Sequence, residues 1–157
     1  MNKKLLLIWT FLLCFVMGIS ADKVITFNEN TGTLDSSTKL TTMAEIVKTG
    51  SEYLSGVSNI SNVYLARAGR GLKLGSSSKK GSLTLDFASE IRPTAIKFTA
   101  LKFKDSEVTI NVAGTDFTLE GHEVAEYSLV CNGSAMTSVA ISTPKRAFIT
   151  SVTIVEG

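Results

Sequence analysis

The stretch Gly71–Phe87, GLKLGSSSKKGSLTLDF, decides how the rest of the chain is interpreted. It places a turn rich in serine and lysine between two apolar runs. In its second half Leu83, Leu85 and Phe87 alternate with polar residues, which is the period-two pattern of a half-buried strand. A phosphate-binding loop would need a lysine after Gly81 and then a helix, but a serine and a strand pattern follow. We therefore interpret the stretch as a strand, a turn and a second strand.

The rest of the chain repeats such short apolar alternations between polar turns, a pattern typical of a β-sandwich or barrel. Residues 23–27 predict a first strand, and a long polar surface connection follows over 28–42. One short helix is predicted next, because Thr42 and Glu45 have the spacing of a capping box and Gly50 lies where a helix would stop. We expect an all-β fold, a single antiparallel β-sandwich of jelly-roll type, formed by residues 22–157 with at most one short helix.

Four later segments give predictions of local structure. A hairpin is expected over 108–119 with Gly114 at its turn, and a second at Asn132–Gly133 between two β-rich runs. The strand over 94–103 switches its apolar face after Ala100, which indicates a bulge or a change of sheet. The two sets of apolar residues in that strand are Ile96, Phe98 and Ala100, and Leu101 and Phe103. The last strand is predicted to carry on one face Phe148, Val152 and Ile154.

Residues 1–21 have the three-part organisation of a secretory signal peptide: a basic start, an uncharged apolar run and small residues before Asp22. The apolar run, which includes Cys14, falls short of the ~20 residues of a membrane-spanning helix. We expect cleavage after Ala21, or after Ser20, with an uncleaved anchor as the alternative. The expected location is secreted, extracellular or cell-surface, with the periplasm as the alternative, and no membrane insertion follows cleavage.

Removal of this segment changes the charge of the chain. The whole sequence has 16 basic and 14 acidic residues, but Lys3 and Lys4 belong to the predicted signal peptide. The remainder is formally neutral, which gives no electrostatic reason to expect nucleic acid as a partner. Cys131 is then the only cysteine, so an internal disulfide is excluded. Its apolar surroundings favour a buried small hydrophobe over a reactive thiol.

Motifs for catalysis and metal binding are weak. A catalytic triad would need His122, the only histidine, and the sequence has no Gly-x-Ser-x-Gly elbow. One histidine and one cysteine are too few for a zinc site. Glu120, Glu123 and Glu126 form an acidic patch around His122 that could hold a hard cation, although a solvated turn is the simpler interpretation. We predict no enzyme activity and no cofactor, with a small hydrolase as the remaining alternative.

Three segments carry a resemblance to a known module, Gly71–Ser77, Ile96–Gly114 and Lys145–Val155. The chain resembles a β-sandwich module, of jelly-roll or galactose-binding-like type, found in secreted bacterial proteins. In that module a Gly-Leu-Lys-Leu-Gly-Ser-Ser turn precedes a strand, and the last strand reads like K-R-x-Y-I-x-S-I-T-V. Phe103 and Phe148 stand where tyrosine is common. The resemblance implies a sandwich fold and a binding or adhesion role, often attached to enzymes such as nucleases, and it gives no ligand-binding residues.

The leading functional hypothesis is a secreted or cell-surface, non-catalytic module that binds extracellular glycan. An aromatic ring can stack on a sugar face while arginine or lysine donates to its hydroxyls. The candidate contact residues are Tyr53, Tyr64, Arg67, Arg70 and Lys73. Core packing and ordinary surface charge are the alternative explanation for each, and the lack of tryptophan after residue 21 weighs against sugar binding. The second hypothesis is a structural, adhesion or assembly component of the cell surface that acts through protein–protein contacts.

Overall fold

The computed structural model describes residues 21–104 and 107–157; the predicted signal peptide up to Ser20 lies outside the described residues. In these ranges the chain forms twelve strands, one four-residue helix and one 3₁₀ turn. They are β1 (Lys23–Phe27), α1 (Met43–Ile46), β2 (Val47–Thr49), the 3₁₀ turn (Ser51–Tyr53), β3 (Leu54–Ser61), β4 (Val63–Leu65), β5 (Leu72–Leu74), β6 (Gly81–Ile91), β7 (Pro93–Lys102), β8 (Thr109–Val112), β9 (Thr115–Thr118), β10 (Ala125–Val130), β11 (Met136–Thr143) and β12 (Ala147–Glu156). None of the helices in the described part of the chain is long and apolar enough to cross a membrane.

The strands form two antiparallel sheets that enclose one apolar core, so the predicted β-sandwich is confirmed. The first sheet has the order β10-β7-β12-β1-β2, and β5, which pairs with β4, occupies the rest of the β12 edge. The second sheet has the order β3-β6-β11-β8-β9. From β6 to β12 the chain alternates between the two sheets, with the β8–β9 hairpin as one step. This alternation gives the jelly-roll type of connectivity.

The core consists mainly of the aliphatic residues that the period-two patterns predict to face inward. In β6, Leu83, Leu85 and Phe87 are all buried, as expected for the second strand of the opening stretch. The two strands of that stretch, however, belong to different sheets, because β5 pairs with β12 and β6 pairs with β3 and β11. The turn between them therefore crosses from one layer of the sandwich to the other.

An aromatic triad closes one side of the sandwich. Phe98 of β7 stacks on Tyr127 of β10 at 5.3 Å between ring centroids and meets the edge of Phe117 of β9 at 5.0 Å. Phe117 belongs to the second sheet, so the triad joins the edge strands of both layers. The Tyr127 hydroxyl accepts a hydrogen bond of 2.9 Å from the backbone N–H of Glu120. It thereby holds the connection that crosses between β9 and β10.

Strand β12 contains one extra residue relative to its neighbour β7. Ile149 pairs with Ala100 and Ser151 with Thr99, which leaves Thr150 without a partner in the ladder. This arrangement is a β-bulge. The Thr99 hydroxyl lies 2.6 Å from that of Ser151, so side-chain hydroxyls stabilise the irregular backbone.

The bulge corrects two predictions. Val152 and Ile154 face the main core as expected, but Phe148 lies before the bulge and packs in a separate cluster on the outer face of the sheet. In β7 the predicted split is confirmed, because Ala100 faces the main core and Leu101 joins the outer cluster. The irregularity itself lies in β12 and not in β7.

One further local prediction was wrong, and the predicted helix is present but ends earlier than expected. The expected Asn132–Gly133 hairpin does not form, because β10 and β11 lie in different sheets and the Asn-Gly pair lies in the crossing between them. The capping box of Thr42 and Glu45 is present, but α1 ends at Ile46 and the chain continues directly into β2. Pairing of β2 with β1 replaces the second helical turn, since a helix this short gains little from its own hydrogen bonds.

The ends of the described chain are joined by an ion pair that predicts acid sensitivity. Lys23 of β1 pairs with Glu156 of β12, and the backbone N–H of Arg92 donates to Glu156 Oε1 at 2.7 Å. The hydrogen bond from Lys23 and then that from Arg92 lower the pKa of Glu156. A carboxyl whose folded pKa is lowered adds stability above its unfolded value, near 4, and loses it as pH falls through the folded value.

We therefore expect Glu156→Gln to reduce the free energy of unfolding by about 1 kcal/mol at pH 7 and to have little effect below about pH 3. Urea unfolding curves at several pH values measure this difference. Lys23→Gln removes the same pair and is expected to reproduce the loss at pH 7. A constant difference between wild type and Glu156→Gln across the whole pH range would contradict the assignment.

Candidate functional site

The outer face of the first sheet carries a row of large side chains where a sandwich usually presents small polar ones. Tyr64 of β4 pairs with Lys73 of β5, Lys73 with Phe148 of β12, and Phe148 with Leu101 of β7. Tyr64, Lys73 and Phe148 are each flanked on both sides by residues that pack in or against the main core, and Leu101 follows Ala100, which packs in that core. Because side chains alternate along a strand, all four project from the opposite, outer face.

Stacked cations cover the aromatic rings of this face. The Arg146 guanidinium lies 4.5 Å from the ring centroid of Phe103, and that of Arg70 lies 5.4 Å from Phe148. The two rings are themselves neighbours, with centroids 5.6 Å apart. At the other end of the row, Lys73 Nζ lies 4.9 Å from the Tyr64 ring centroid. We call these residues the outer-face site; they are Tyr64, Arg70, Lys73, Phe103, Arg146 and Phe148.

Two shallow clefts flank Arg146 in the outer-face site. One, of about 190 Å³, lies over Phe103 and is bordered by Ser77 and Lys104. The other, of about 260 Å³, lies over Tyr64 and Lys73 and includes Ser76. Arg146 lines both clefts, so its guanidinium stands between two adjacent depressions that each combine an aromatic ring, a cation and a hydroxyl.

The serine- and lysine-rich turn after β5 forms the rim of both clefts. Its conformation is fixed by Gly75, which has a φ of +78°, and by the hydrogen bond of 2.9 Å from the N–H of Ser76 to the carbonyl of Lys79. The Ser76 hydroxyl in turn accepts the N–H of Lys79 at 3.0 Å. The sequence favoured no ligand role for this turn. The structure nevertheless places its serines beside the aromatic and basic side chains of β4, β5 and β12.

A polar wall on the other side of the site is built by the connection over 28–42. This segment runs along β4 and donates backbone hydrogen bonds to it, as from Ser36 to Leu65 and from Leu40 to Val63. Its two carboxylates bind the backbone of the loop between β4 and β5. Asp35 accepts from the N–H of Arg67 at 2.9 Å, and Glu29 accepts from the N–H of Gly69 at 2.6 Å. The loop that carries Arg67 and Arg70 is therefore held in one position.

The electrostatic environment of the site is unfavourable for the charge of Lys73. Partial burial lowers the pKa of the Lys73 ammonium, the carboxylate of Asp35 opposes this effect, and the positive charge of Arg146 lowers that pKa further. A lysine with a lowered pKa is held in its charged form at some cost to folding. Burial together with a like charge in a cleft is the combination found at functional sites.

The structure places the five sequence-predicted residues as follows. Tyr64 and Lys73 stack on each other, and Arg70 belongs to the same outer-face site. Arg67 is exposed in the β4–β5 loop next to it. Tyr53 lies apart, half-buried against the main core at the end of the 3₁₀ turn. The role of these residues in ligand binding stays a prediction.

Sequence reasoning missed Phe103 and Arg146 as site residues. Phe103 directly follows β7, and Arg146 directly precedes β12. Their neighbours in the sequence gave a weak signal, because Phe103 lies two residues from Leu101 and Arg146 two from Phe148, all at outward positions. The bulge at Thr150 concealed that signal, because an uninterrupted alternation along the strand had placed Phe148 on the same face as Val152 and Ile154. Pairing of β5 with β12 brings the two halves of the site together, and no local pattern encodes that pairing.

The other chemical candidates lie elsewhere. His122 is exposed in the connection between β9 and β10, and Cys131 is half-buried beside the crossing to β11. Among residues 21–104 and 107–157, no group of three or more histidine, cysteine or acidic side chains is placed to hold a metal ion. A more open cleft of about 490 Å³ adjoins Cys131 and Val130 at the end of the sandwich. Its lining contains neither an aromatic nor a charged residue, so it offers little to orient a ligand.

No protein-family model matches the chain, and no curated protein matches it in sequence. Among solved structures, it is similar to the CBM36-1 domain of a multidomain xylanase from the hindgut metagenome of Trinervitermes trinervoides. The identity is 15%, the match covers 87% of this chain and 98% of that domain, and the TM-score is 0.44. It is also similar to a carbohydrate-binding module CBM36 in complex with calcium and xylotriose, with 15% identity, 60% and 92% coverage and a TM-score of 0.37. Both scores are below 0.5, so the ligands of those modules are not transferred to this chain.

Proposed function

We propose that the protein is a secreted or cell-surface, non-catalytic module that binds extracellular glycan through the outer-face site. The observation that carries the proposal is the pair of clefts on either side of Arg146, where rings, cations and hydroxyls alternate on one sheet face. A sugar presents an apolar face of C–H groups and an edge of hydroxyls, and this surface matches both. Tyr64 and Phe103 border the clefts, and a ligand would contact the parts of these rings that Lys73, Lys104 and Arg146 leave uncovered. Phe148 is only 1% exposed.

The stacked arginine supports the proposal further. When the face of a guanidinium lies on an aromatic ring, its N–H donors point sideways and stay available. The Arg146 guanidinium carbon lies 4.5 Å from the Phe103 ring centroid and the residue lines both clefts, so contact with the ring positions it for a ligand in either cleft. Binding then loses less conformational entropy than a freely mobile arginine would require.

A glycan array probed with the chain from Asp22 onward, which includes every described strand, tests the proposal. We expect saturable binding to at least one sugar class. Phe103→Ala is expected to weaken that binding about tenfold, because one stacking surface is lost and Arg146 loses the ring that positions it. Calorimetric titration with the best array ligand measures the change.

Val130→Ala is the matched control, because Val130 is 84% exposed and lines the open cleft at the end of the sandwich. It is expected to bind like wild type. Loss of binding in Val130→Ala with full binding in Phe103→Ala would move the site to that cleft and refute the outer-face assignment. A blank array together with self-association in light scattering would favour an assembly component instead.

A further inference from the structure

We propose that the glycan bound at the outer-face site is acidic, and that its anionic group is held by Arg146 and Lys73. This inference rests on the proposed function and specifies its ligand class. The shared chemistry is a carboxylate or sulfate group carried by a sugar that packs on Tyr64 or Phe103.

The distribution of charge is the first argument. From Asp22 onward the chain has 14 basic and 14 acidic residues, so its neutrality hides a strong local imbalance. Five cations line the two clefts or stack on the rings between them; they are Arg70, Lys73, Lys104, Lys145 and Arg146. Three cations outside this cluster, Lys23, Arg92 and Lys97, form ion pairs with carboxylates. Clustered like charges of this kind attract an oppositely charged ligand.

Two described carboxylates near the cluster, Asp35 and Glu29, bind backbone N–H groups instead of its cations. Both accept from the loop that carries Arg70, so their hydrogen-bonding capacity serves to hold that loop. Asp35 favours the charge on Lys73 through space, but burial and Arg146 act against it. An added anion between Lys73 and Arg146 would relieve the repulsion between these two cations.

Geometry selects the kind of anion. Arg146 lies over the Phe103 ring, and a guanidinium carries paired N–H donors in a planar fork, which fit the two oxygens of a carboxylate or sulfate. Lys73 reaches the same region from the cleft that Arg146 also lines, and Ser76 adds a hydroxyl. A neutral sugar would leave these charge-assisted donors with weaker acceptors.

Matched polysaccharides that differ only in charge test the inference. The first pair is polygalacturonate and its fully methyl-esterified form, and the second is dextran sulfate and dextran. We expect the acidic member of at least one pair to bind about tenfold or more tightly than its neutral partner at 0.15 M salt. A preference within the first pair identifies the anion as carboxylate, and a preference within the second identifies it as sulfate. Equal or better binding of the neutral members overturns the inference alone, whereas no binding to any polysaccharide overturns the proposed function as well.

Single-residue variants distinguish specific binding at the outer-face site from general charge attraction to the protein surface. Arg146→Gln is expected to lose about tenfold in affinity for the acidic ligand, and Arg146→Lys about threefold, since it keeps the charge and loses the two-pronged geometry. Lys48→Gln on the exposed part of β2 makes the same charge change away from the site and is expected to lose less than about twofold. An equal loss in Lys48→Gln and Arg146→Gln would overturn the proposal in favour of non-specific attraction.

Lys73→Gln is expected to weaken binding without lowering the unfolding temperature, and a lowered temperature with unchanged binding would assign Lys73 a purely structural role.

Discussion

Replacing Phe98 with alanine is expected to lower the free energy of unfolding by about 3–5 kcal/mol. The side chain is 1% exposed and lies between Phe117 and Tyr127, so its removal leaves a cavity that two other rings border. These contacts also join β9 of one sheet to β7 and β10 of the other, so the loss weakens the packing between the two layers. A loss of this size is a large part of the stability of a typical domain.

Chemical unfolding followed by circular dichroism measures the effect of Phe98→Ala. Phe98→Leu keeps most of the apolar volume and is expected to cost about 1–1.5 kcal/mol, which keeps the prediction testable if the alanine variant does not fold. Tyr127→Phe removes only the hydrogen bond from the N–H of Glu120 and is expected to cost about 1 kcal/mol. A loss below about 1.5 kcal/mol in Phe98→Ala would show that the triad does not hold the two layers together.

Gly71→Ala is expected to cost more than about 3 kcal/mol, for two independent reasons. Gly71 has a φ of +65°, a conformation that side chains disfavour. A Cβ at this position would also lie 2.3 Å from the carbonyl oxygen of Ile149 and 2.8 Å from Cα of Thr150. Both are backbone atoms at the β12 bulge, so neither can move without disturbing the pairing of β5 with β12.

Gly69→Ala separates the two causes. Gly69 has a similar φ of +85°, but a Cβ there would have no atom within 4 Å. It is expected to cost about 1 kcal/mol, which is the conformational strain alone. Thermal unfolding of both variants measures the difference. Equal losses for Gly69→Ala and Gly71→Ala would contradict the close approach of the loop to the bulge.

Much of the fold could be predicted because its signals are local. The alternation in β6, the capping box at Thr42 and the turn at Gly114 each depend on residues within a few positions of one another. Sheet membership is not local. The Asn132–Gly133 turn has the sequence of a hairpin, yet the chain there crosses between layers because β10 pairs with β7 and β11 with β6. Burial of both strands against the core outweighs the preference of the turn.

In the candidate site, too, some residues could be identified from local sequence and others depend on non-local strand pairing. Tyr64 and Lys73 could be selected from the sequence as an aromatic ring and a cation of suitable type, and strand pairing places them opposite each other. Phe103 and Arg146 could not, because they join the site through a pairing of β7, β12 and β5 between residues about 45 to 75 positions apart along the chain. Tyr53 has the right chemistry but a different location, and residue type alone cannot distinguish it from Tyr64.

Because β12 contains one extra residue, the positions that face the core are different before and after Thr150. Before Thr150 the odd-numbered residues, Ala147 and Ile149, fill the interior, and after it the even-numbered residues, Val152 and Ile154, do so. The outward positions of the first half of the strand, which include the proposed ligand contacts, are therefore out of phase with the outward positions further along. A substitution at position 146 leaves the core unaltered, whereas a one-residue deletion at position 150 would exchange the inward and outward positions along half the strand. The spacing of this strand is thus more constrained than the identity of its outward side chains.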